Sequence, residues 1–238
     1  MLGCALANGW AATVIAPALE VRDLVVRYGA ATALDGVSLQ VGRGEMVALV
    51  GPNGAGKTTL INTVSGILKP AAGAFRVSGR LAQVPEGRQL FADMTVEDNL
   101  RLGAWTVGNR DPQPVYELFP ALRELRHRLA GTLSGGEQQM VAVGRALMAR
   151  PDVLAVDELS FGLAPMIVDD LADHLVRLNR SSGMAVLLVE QNARLALDLC
   201  PRAYVLEAGR IALEGPSDEL RNSQTVQMAY LGGALPMA

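Results

Sequence analysis

The sequence contains few of the residues that build disulfide frameworks, metal clusters or aromatic binding surfaces. It has two cysteines and two histidines in 238 residues, and aromatic side chains make up 4%. Two cysteines cannot form a disulfide framework and two histidines cannot form a His-rich metal site. So few aromatic residues also argue against a stacking platform for single-stranded nucleic acid. Because the formal net charge is -3, we expect no nucleic-acid partner.

Lysine is also rare in this sequence. Lys57 and Lys69 are the only lysines among 21 basic residues, so a position that keeps lysine invites a functional explanation. The remaining composition, 50% hydrophobic and 19% charged, excludes a wholly disordered chain. The length suits one globular domain, or one core with a small subdomain.

Charge is absent from the start of the chain, where the first charged residue is Glu20. No basic residue precedes this stretch, so it lacks the charged region of a signal peptide. Asn8 and Pro17 make it a poor membrane span. We expect residues 1–17 to be a loose extension, with a partner-docking segment and a membrane contact as alternatives. No other stretch approaches 18 apolar residues, so we expect the rest to be soluble.

Short apolar runs alternate with helical patterns along the chain. Apolar runs typical of strands lie at residues 46–50, 81–84, 153–156 and 184–189, and helical patterns lie at residues 59–68, 137–149 and from Pro165. Residues 95–130 also have a helical pattern, interrupted at 108–114. Strands that alternate with helices predict an α/β fold with a parallel sheet flanked by helices.

A glycine-rich segment follows the first of those apolar runs and matches the phosphate-loop pattern G-x-x-x-x-G-K-[ST]. We call residues 51–59 the phosphate loop. Its candidate nucleotide-binding residues are Gly51, Asn53, Gly54, Gly56, Lys57, Thr58 and Thr59. Glycines let backbone N–H groups turn toward phosphate oxygens, and the following helix presents its positive end. Lys57 is expected to reach the β- and γ-phosphates, and Thr58 to offer its hydroxyl to Mg²⁺.

Two carboxylates, Asp157 and Glu158, end the apolar run at residues 153–156. At a strand end beside a phosphate loop, Asp157 is placed to hold the Mg²⁺ shell. Glu158 can orient or deprotonate the attacking water. These residues together predict a nucleoside triphosphatase with a Mg²⁺ site, and they do not indicate which kind.

A second anion site is predicted at residues 133–137 (LSGGE), which we call the signature segment. Ser134, Gly135 and Gly136 stand at the start of a helix, where backbone N–H groups can bind phosphate. Two phosphate-binding devices in one chain favour a head-to-tail dimer in which each nucleotide contacts two chains. The alternative is an ordinary helix capped by Ser134 and Glu137.

In their order along the chain, these motifs resemble those of ABC transporter ATP-binding subunits over roughly residues 18–233. The resemblance implies a P-loop nucleotide hydrolase core with an antiparallel β subdomain and a helical subdomain at roughly 88–150. It leaves a tail at 234–238. Residues 160–163 would form an interface loop beside the partner's ATP, which the signature segment would contact from Ser134 through Glu137.

The resemblance also implies roles for three further residues. Tyr28 would stack on adenine, with a core tyrosine at a strand end as the alternative. Glu86 would lie at the nucleotide, where most family members carry Gln, and Gln191 would replace a catalytic His beside Glu158. A solvated loop acid and a strand-end polar residue remain the simpler interpretations of Glu86 and Gln191.

Three short strings narrow the resemblance to the ATPases of branched-chain amino-acid uptake. They are VPEGR at residues 84–88, LVEQN at 188–192 and AYLGG at 229–233. The implied partners are a second ABC ATPase subunit, identical or different, two integral membrane permeases and a periplasmic or lipid-tethered substrate-binding protein. The implied location is peripheral, on the cytoplasmic face of the membrane. Urea or amide importers, and non-transport ABC ATPases, are the alternatives.

Three departures from the family pattern point to a further alternative, a cassette impaired in hydrolysis. Leu159 stands where Pro is usual, Gln191 cannot carry a proton at neutral pH, and the chain lacks about 15–20 residues after Gly79. A two-residue link cannot join parallel neighbours, so taken alone it would pair the strand candidates 75–78 and 81–84 as a hairpin. The resemblance instead implies that 75–78 belong to the antiparallel sheet and 81–84 to the parallel sheet, and on that basis we predict a sharp bend at Gly79. We predict no helix between residues 79 and 85, irregular backbone around Arg80, and Glu86 on the ATP side.

Overall fold

The computed structural model describes residues 16–223 and 226, which form two β-sheets with helices packed around them. The smaller sheet has the order β2-β1-β4 and is antiparallel. Its strands are β1 (Leu19–Tyr28), β2 (Ala31–Val41) and β4 (Ala72–Val77). Predictions for most of residues 1–17, for the string at 229–233 and for the tail at 234–238 concern residues outside this description.

The larger sheet has the order β5-β6-β7-β3-β8-β9. Its strands are β3 (Met46–Val50), β5 (Leu81–Val84), β6 (Val153–Asp157), β7 (Ala185–Glu190), β8 (Arg202–Glu207) and β9 (Arg210–Pro216). Every pairing is parallel except β8 with β9, which form a hairpin. The predicted parallel α/β core and antiparallel β subdomain are confirmed.

Both faces of the larger sheet are buried at its central strands β3, β6 and β7, which explains why these strands are apolar. Along β3, Met46, Ala48 and Val50 face one hydrophobic cluster, and Val47 and Leu49 face the other. The helices of residues 96–148 pack on the first face. The smaller sheet packs on the second face, and so does the helix that follows the phosphate loop. The phosphate loop therefore begins where a rigid, doubly covered strand ends.

The helices match the predicted positions with some corrections. They are α1 (Lys57–Val64), α2 (Val96–Gly103), α3 (Gln113–Leu118), α4 (Pro120–Glu124), α5 (Gly135–Leu147), α6 (Pro165–Ser182), α7 (Ala193–Leu199) and α8 (Ser217–Asn222). The sequence patterns did not predict the short helices α7 and α8. In the described residues, no helix has both the length and the apolar composition needed to cross a membrane.

The expected helix over residues 59–68 was wrong at both ends, because it begins at Lys57 and ends at Val64. The end comes from Gly66, whose φ of +79° reverses the chain. The N–H groups of Ile67 and Leu68 then donate to the Asn62 carbonyl oxygen. A glycine in the left-handed region is a common helix terminator, so Gly66 ends the helix before Pro70 can act.

The predicted bend between the sheets is confirmed. β4 and β5 belong to different sheets, and no helix lies between residues 79 and 85. Gly79 has a φ of +104°, and a Cβ there would lie 2.1 Å from Asp152 Oδ2. The same carboxylate accepts a 2.8 Å hydrogen bond from the Arg80 N–H. Gly79 and the Asp152 carboxylate, which is distant in sequence, therefore shape this short connection.

Candidate active site

Two glycines of the phosphate loop stand where no side chain fits. A Cβ on Gly51 would lie 2.2 Å from the Leu206 carbonyl oxygen of β8. A Cβ on Gly56 would lie 2.7 Å from the Ala33 carbonyl oxygen, and the φ of Gly56 is +108°. These close approaches hold the loop against β2 and β8 and aim the start of α1 into a pocket.

That pocket brings together most of the predicted nucleotide-binding residues. It has a volume of about 320 Å³ and is lined by Ala33, Asn53, Gly54, Gly56, Lys57, Thr58, Thr59, Glu86 and Glu158. Residues from four separate parts of the sequence therefore meet at the N-terminus of α1. An open, polar pocket at a helix N-terminus suits a phosphate chain.

Lys57 is buried, with 5% of its surface exposed. Its ammonium group donates to the carbonyl oxygens of Gly51 at 2.9 Å and Pro52 at 3.2 Å. It lies 3.9 Å from a carboxylate oxygen of Glu158. A lysine with two neutral acceptors and one distant carboxylate can exchange those contacts for phosphate oxygens without leaving the pocket.

Asp157 ends β6 and is 1% exposed. Neither of its carboxylate oxygens has a hydrogen-bond partner of normal geometry among the described residues. The pKa of Asp157 is raised to about 6, chiefly by burial. The negative charges of Glu158 and Glu86 contribute to the rise, and the Thr58 hydroxyl and Lys57 oppose it. A buried, unpaired carboxylate is costly unless a cation completes it.

The backbone at Glu158 is strained, with a φ of +53°. Its N–H donates at 2.8 Å to the Val189 carbonyl oxygen of β7, and the next residue, Leu159, is completely buried. Backbone strain of this kind persists where the surrounding contacts hold the residue in place, and it is common at active sites. The Leu159 side chain, found where Pro is usual, thus serves as an anchor in the core.

A second anchor holds the chain one residue further on. The Ser160 N–H and hydroxyl group donate to the two carboxylate oxygens of Glu190, at 3.0 and 2.9 Å. Glu190 is 1% exposed, and burial raises its pKa. Glu190 is the last residue of β7 and directly precedes Gln191. Its hydrogen bonds to Ser160 therefore link the start of the interface loop to the end of β7.

Tyr28 and Gln191 are not among the residues that line the phosphate pocket. Tyr28 is 52% exposed, and its hydroxyl oxygen is 3.5 Å from Thr59 Oγ1, so its ring stands open at the rim. Gln191 follows β7 at the same sheet edge as Glu158, but it is exposed and does not line the pocket. Both assignments stay predictions.

The signature segment forms the N-terminus of α5 and lies outside the phosphate pocket of its own chain. Glu137 N–H donates to Ser134 Oγ at 3.4 Å, and Ser134 N–H donates to Glu137 Oε2 at 2.7 Å. This is the capping box that the sequence analysis offered as the alternative. Ser134 is nonetheless exposed, so the cap leaves this helix N-terminus accessible.

Sequence reasoning missed two residues that organise the site. Glu190 binds Ser160, and Arg88 donates to Gln138, Gln139 and the Phe161 carbonyl oxygen. Both stand inside strings that the sequence analysis used only to narrow the resemblance. Their contacts cross 30 to 73 positions, so no local pattern could reveal them.

Comparison with known proteins agrees with this geometry. Residues 34–160 match the family model described as "ABC transporter". The chain is 46% identical to the high-affinity branched-chain amino acid transport ATP-binding protein BraG of Pseudomonas aeruginosa, over 87% of this chain and 96% of BraG. It is 31% identical to BraF of the same organism, which has the same descriptive name, over 92% of this chain and 99% of BraF.

Solved structures give the same result for the fold. The chain is similar to the ADP conformation of an ATP-binding cassette of an ABC transporter, with a TM-score of 0.79 and 28% identity. The similarity covers 92% of this chain and all of the solved chain. The chain therefore belongs to the ABC transporter family, as one of the ATP-binding subunits whose ATP hydrolysis drives transport.

Proposed function

We propose that this chain binds Mg²⁺-ATP at the pocket of residues 51–59 and hydrolyses it to power the import of branched-chain amino acids. The observation that carries the proposal is that Lys57 and Glu158 face each other in one phosphate pocket, with the Asp157 carboxylate close enough to interact with Lys57 and Thr58. The similarity to BraG over almost its whole length supports the choice of transport system.

In the proposed reaction, the phosphate loop binds the triphosphate and Lys57 moves from the carbonyl oxygens of Gly51 and Pro52 to the phosphate oxygens. Glu158 orients the attacking water and accepts its proton. Its carboxylate is held toward the pocket because its backbone is fixed by β7. Tyr28 packs on the adenine, and Glu86 and Gln191 help to hold the water or the γ-phosphate.

The residues present fit a magnesium ion. Asp157 supplies a buried carboxylate with no other partner of normal geometry in the described chain, and Thr58 supplies a neighbouring hydroxyl. Hard oxygen ligands of this kind, few in number, suit Mg²⁺, which completes its shell with water and phosphate. When bound, the ion would neutralise charge that develops on the phosphate oxygens.

The exposed signature segment supports a two-chain site, in which Ser134 to Glu137 of one subunit complete the ATP site of the other. Two distinct relatives from one organism, BraF and BraG, have the same descriptive name, which favours a different chain as the second ATPase subunit. We place the pair at the cytoplasmic face of the membrane, bound to two permeases. A periplasmic or lipid-tethered binding protein delivers the substrate to these permeases.

Deletion of the gene in its host tests the transport assignment. Uptake of labelled leucine, isoleucine and valine should fall, and wild-type protein should restore it while Glu158→Gln protein should not. Urea and a short aliphatic amide serve as the comparison substrates. Loss of urea or amide uptake with normal leucine uptake would contradict the proposal and favour the related importer class. Unchanged uptake of all these substrates would also contradict it.

A further inference from the structure

We propose that Arg88 is a positioning residue that joins the signature segment to the interface loop, so that one chain presents both together to its partner's nucleotide. This inference rests on the two-chain site proposed above. It concerns residues 133–137 and 160–163, which are separate in sequence. Two sets of contacts made by the Arg88 guanidinium group, and a third made by its backbone, carry it.

The first set of contacts ties Arg88 to the signature helix α5. Its Nε donates to Gln139 Oε1 at 3.2 Å, and its Nη1 lies 3.4 Å from Gln138 Oε1. Gln139 is 3% exposed, so the acceptor is fixed. Gln138 and Gln139 directly follow the signature segment, which places the guanidinium group beside the predicted seat of the partner's phosphate.

The second contact reaches the interface loop. Arg88 Nη2 donates at 3.1 Å to the carbonyl oxygen of Phe161. A Cβ built on Gly135 would lie 3.4 Å from Arg88 Nη2, and one on Gly162 would lie 3.8 Å from it. The guanidinium group therefore lies between a glycine of the signature segment and a glycine of the interface loop.

The third set fixes the backbone that carries Arg88. Arg88 and Gln89 have φ values of +65° and +46°, which non-glycine residues adopt only under constraint. Arg145 of α5 donates to the carbonyl oxygens of Gln89 at 2.8 Å and of Arg88 at 3.0 Å. Arg145 thus holds the strained turn after Glu86 against α5, while the Arg88 side chain reaches the interface loop.

The planar guanidinium group explains why this position is arginine. Three nitrogens, held in one rigid fork, donate to three acceptors on two elements, a geometry that an ammonium group cannot reproduce. All three acceptors are uncharged oxygens. The guanidinium group therefore acts through the directions of its hydrogen bonds. Movement of the turn that follows Glu86 would be transmitted to the signature segment and the interface loop at once.

The variants Arg88→Met and Arg88→Lys test the proposal, with Arg76→Met, an exposed position on β4, as the matched control. We measure ATP binding by the single chain and steady-state hydrolysis. Arg88→Met should bind ATP within about twofold of wild type, because the phosphate pocket does not include Arg88. Its hydrolysis should fall about tenfold or more, the loss expected for charge-assisted hydrogen bonds. Arg88→Lys should stay defective.

Closure of the dimer is measured separately, by sizing chromatography with ATP in the Glu158→Gln background. Adding Arg88→Met should raise the ATP concentration needed for closure, and adding Arg76→Met should not. Normal closure with Arg88→Met, or full recovery with Arg88→Lys, would overturn the role of Arg88 alone. If Glu158→Gln dimerises with ATP neither by itself nor with the second ATPase subunit of the same transport system, the two-chain site is overturned, and the role of Arg88 falls with it.

Discussion

The Lys57 ammonium group lies 3.9 Å from a carboxylate oxygen of Glu158, so opposite charges face each other across the phosphate pocket. Each side chain is almost buried, with 5% and 11% exposed. Lys57 donates its hydrogen bonds to carbonyl oxygens instead of to Glu158. The carboxylate therefore remains available to a water molecule, and the ammonium group remains available to phosphate.

Replacement of Lys57 should remove most of the affinity for nucleotide. Lys57→Ala removes the buried cation that would meet the β- and γ-phosphates, so ATP affinity should fall about 100-fold and hydrolysis should be lost. Isothermal titration with Mg²⁺-ATP measures the affinity. The control is Lys69→Ala, which removes the other lysine from an exposed position. Wild-type affinity in Lys57→Ala would contradict the site.

Replacement of Glu158 should separate binding from chemistry. Glu158→Gln keeps the shape of the side chain but cannot accept a proton, so hydrolysis should fall about 100- to 10,000-fold. ATP binding should persist, and the protein should accumulate as a closed dimer. Phosphate release and sizing with and without ATP measure both effects, with exposed Glu214→Gln as the control. Rapid turnover by Glu158→Gln would remove Glu158 from its catalytic role.

A bulky cation at Ser134 should act only on the partner's nucleotide. Ser134→Arg leaves the phosphate loop of its own chain intact, so single-chain ATP affinity should change less than about twofold. The new side chain would fill the accessible helix N-terminus, so ATP-driven dimerisation and hydrolysis should be lost. Ser181→Arg, at an exposed position near the end of α6, serves as the control. Normal hydrolysis by Ser134→Arg would argue against the two-chain site.

The pKa of Asp157 predicts a pH-dependent cost in the nucleotide-free protein. Folding raises this pKa from 3.8 to about 6, so the folded state prefers the neutral carboxyl group. The favourable contribution of Asp157 to the free energy of unfolding is complete below about pH 4. It is lost as the pH rises through about 6. The change corresponds to at most about 3 kcal/mol by linkage.

Thermal unfolding in EDTA measures this cost. Asp157→Asn should unfold at a higher temperature than wild type at pH 7, and the difference should shrink toward pH 4. Mg²⁺-ATP should stabilise wild type much more than Asp157→Asn, because the carboxylate is the proposed magnesium ligand. A difference that does not change between pH 4 and 7 would show that Asp157 ionises freely in the folded protein.

Local sequence was sufficient for the parts of the site whose geometry depends on consecutive residues. The phosphate loop is one example: its glycines and Lys57 are recognisable from the order of residues 51–59, and β3 is recognisable as an apolar run. The bend at Gly79 needed the family resemblance as well: two residues cannot connect parallel neighbours, and the resemblance placed the two strands in different sheets. The family followed from the order of such local motifs.

Only the tertiary structure decided how those motifs are held. Arg88 reaches Phe161 across 73 positions, and Glu190 reaches Ser160 across 30. Neither contact leaves a periodic pattern, because hydrogen bonds between distant segments depend on the packing of the sheets. The end of α1 at Val64 depended on the conformation of Gly66, which the sequence pattern did not reveal. The sequence thus determined which chemical groups the chain carries, and packing determined which of them meet.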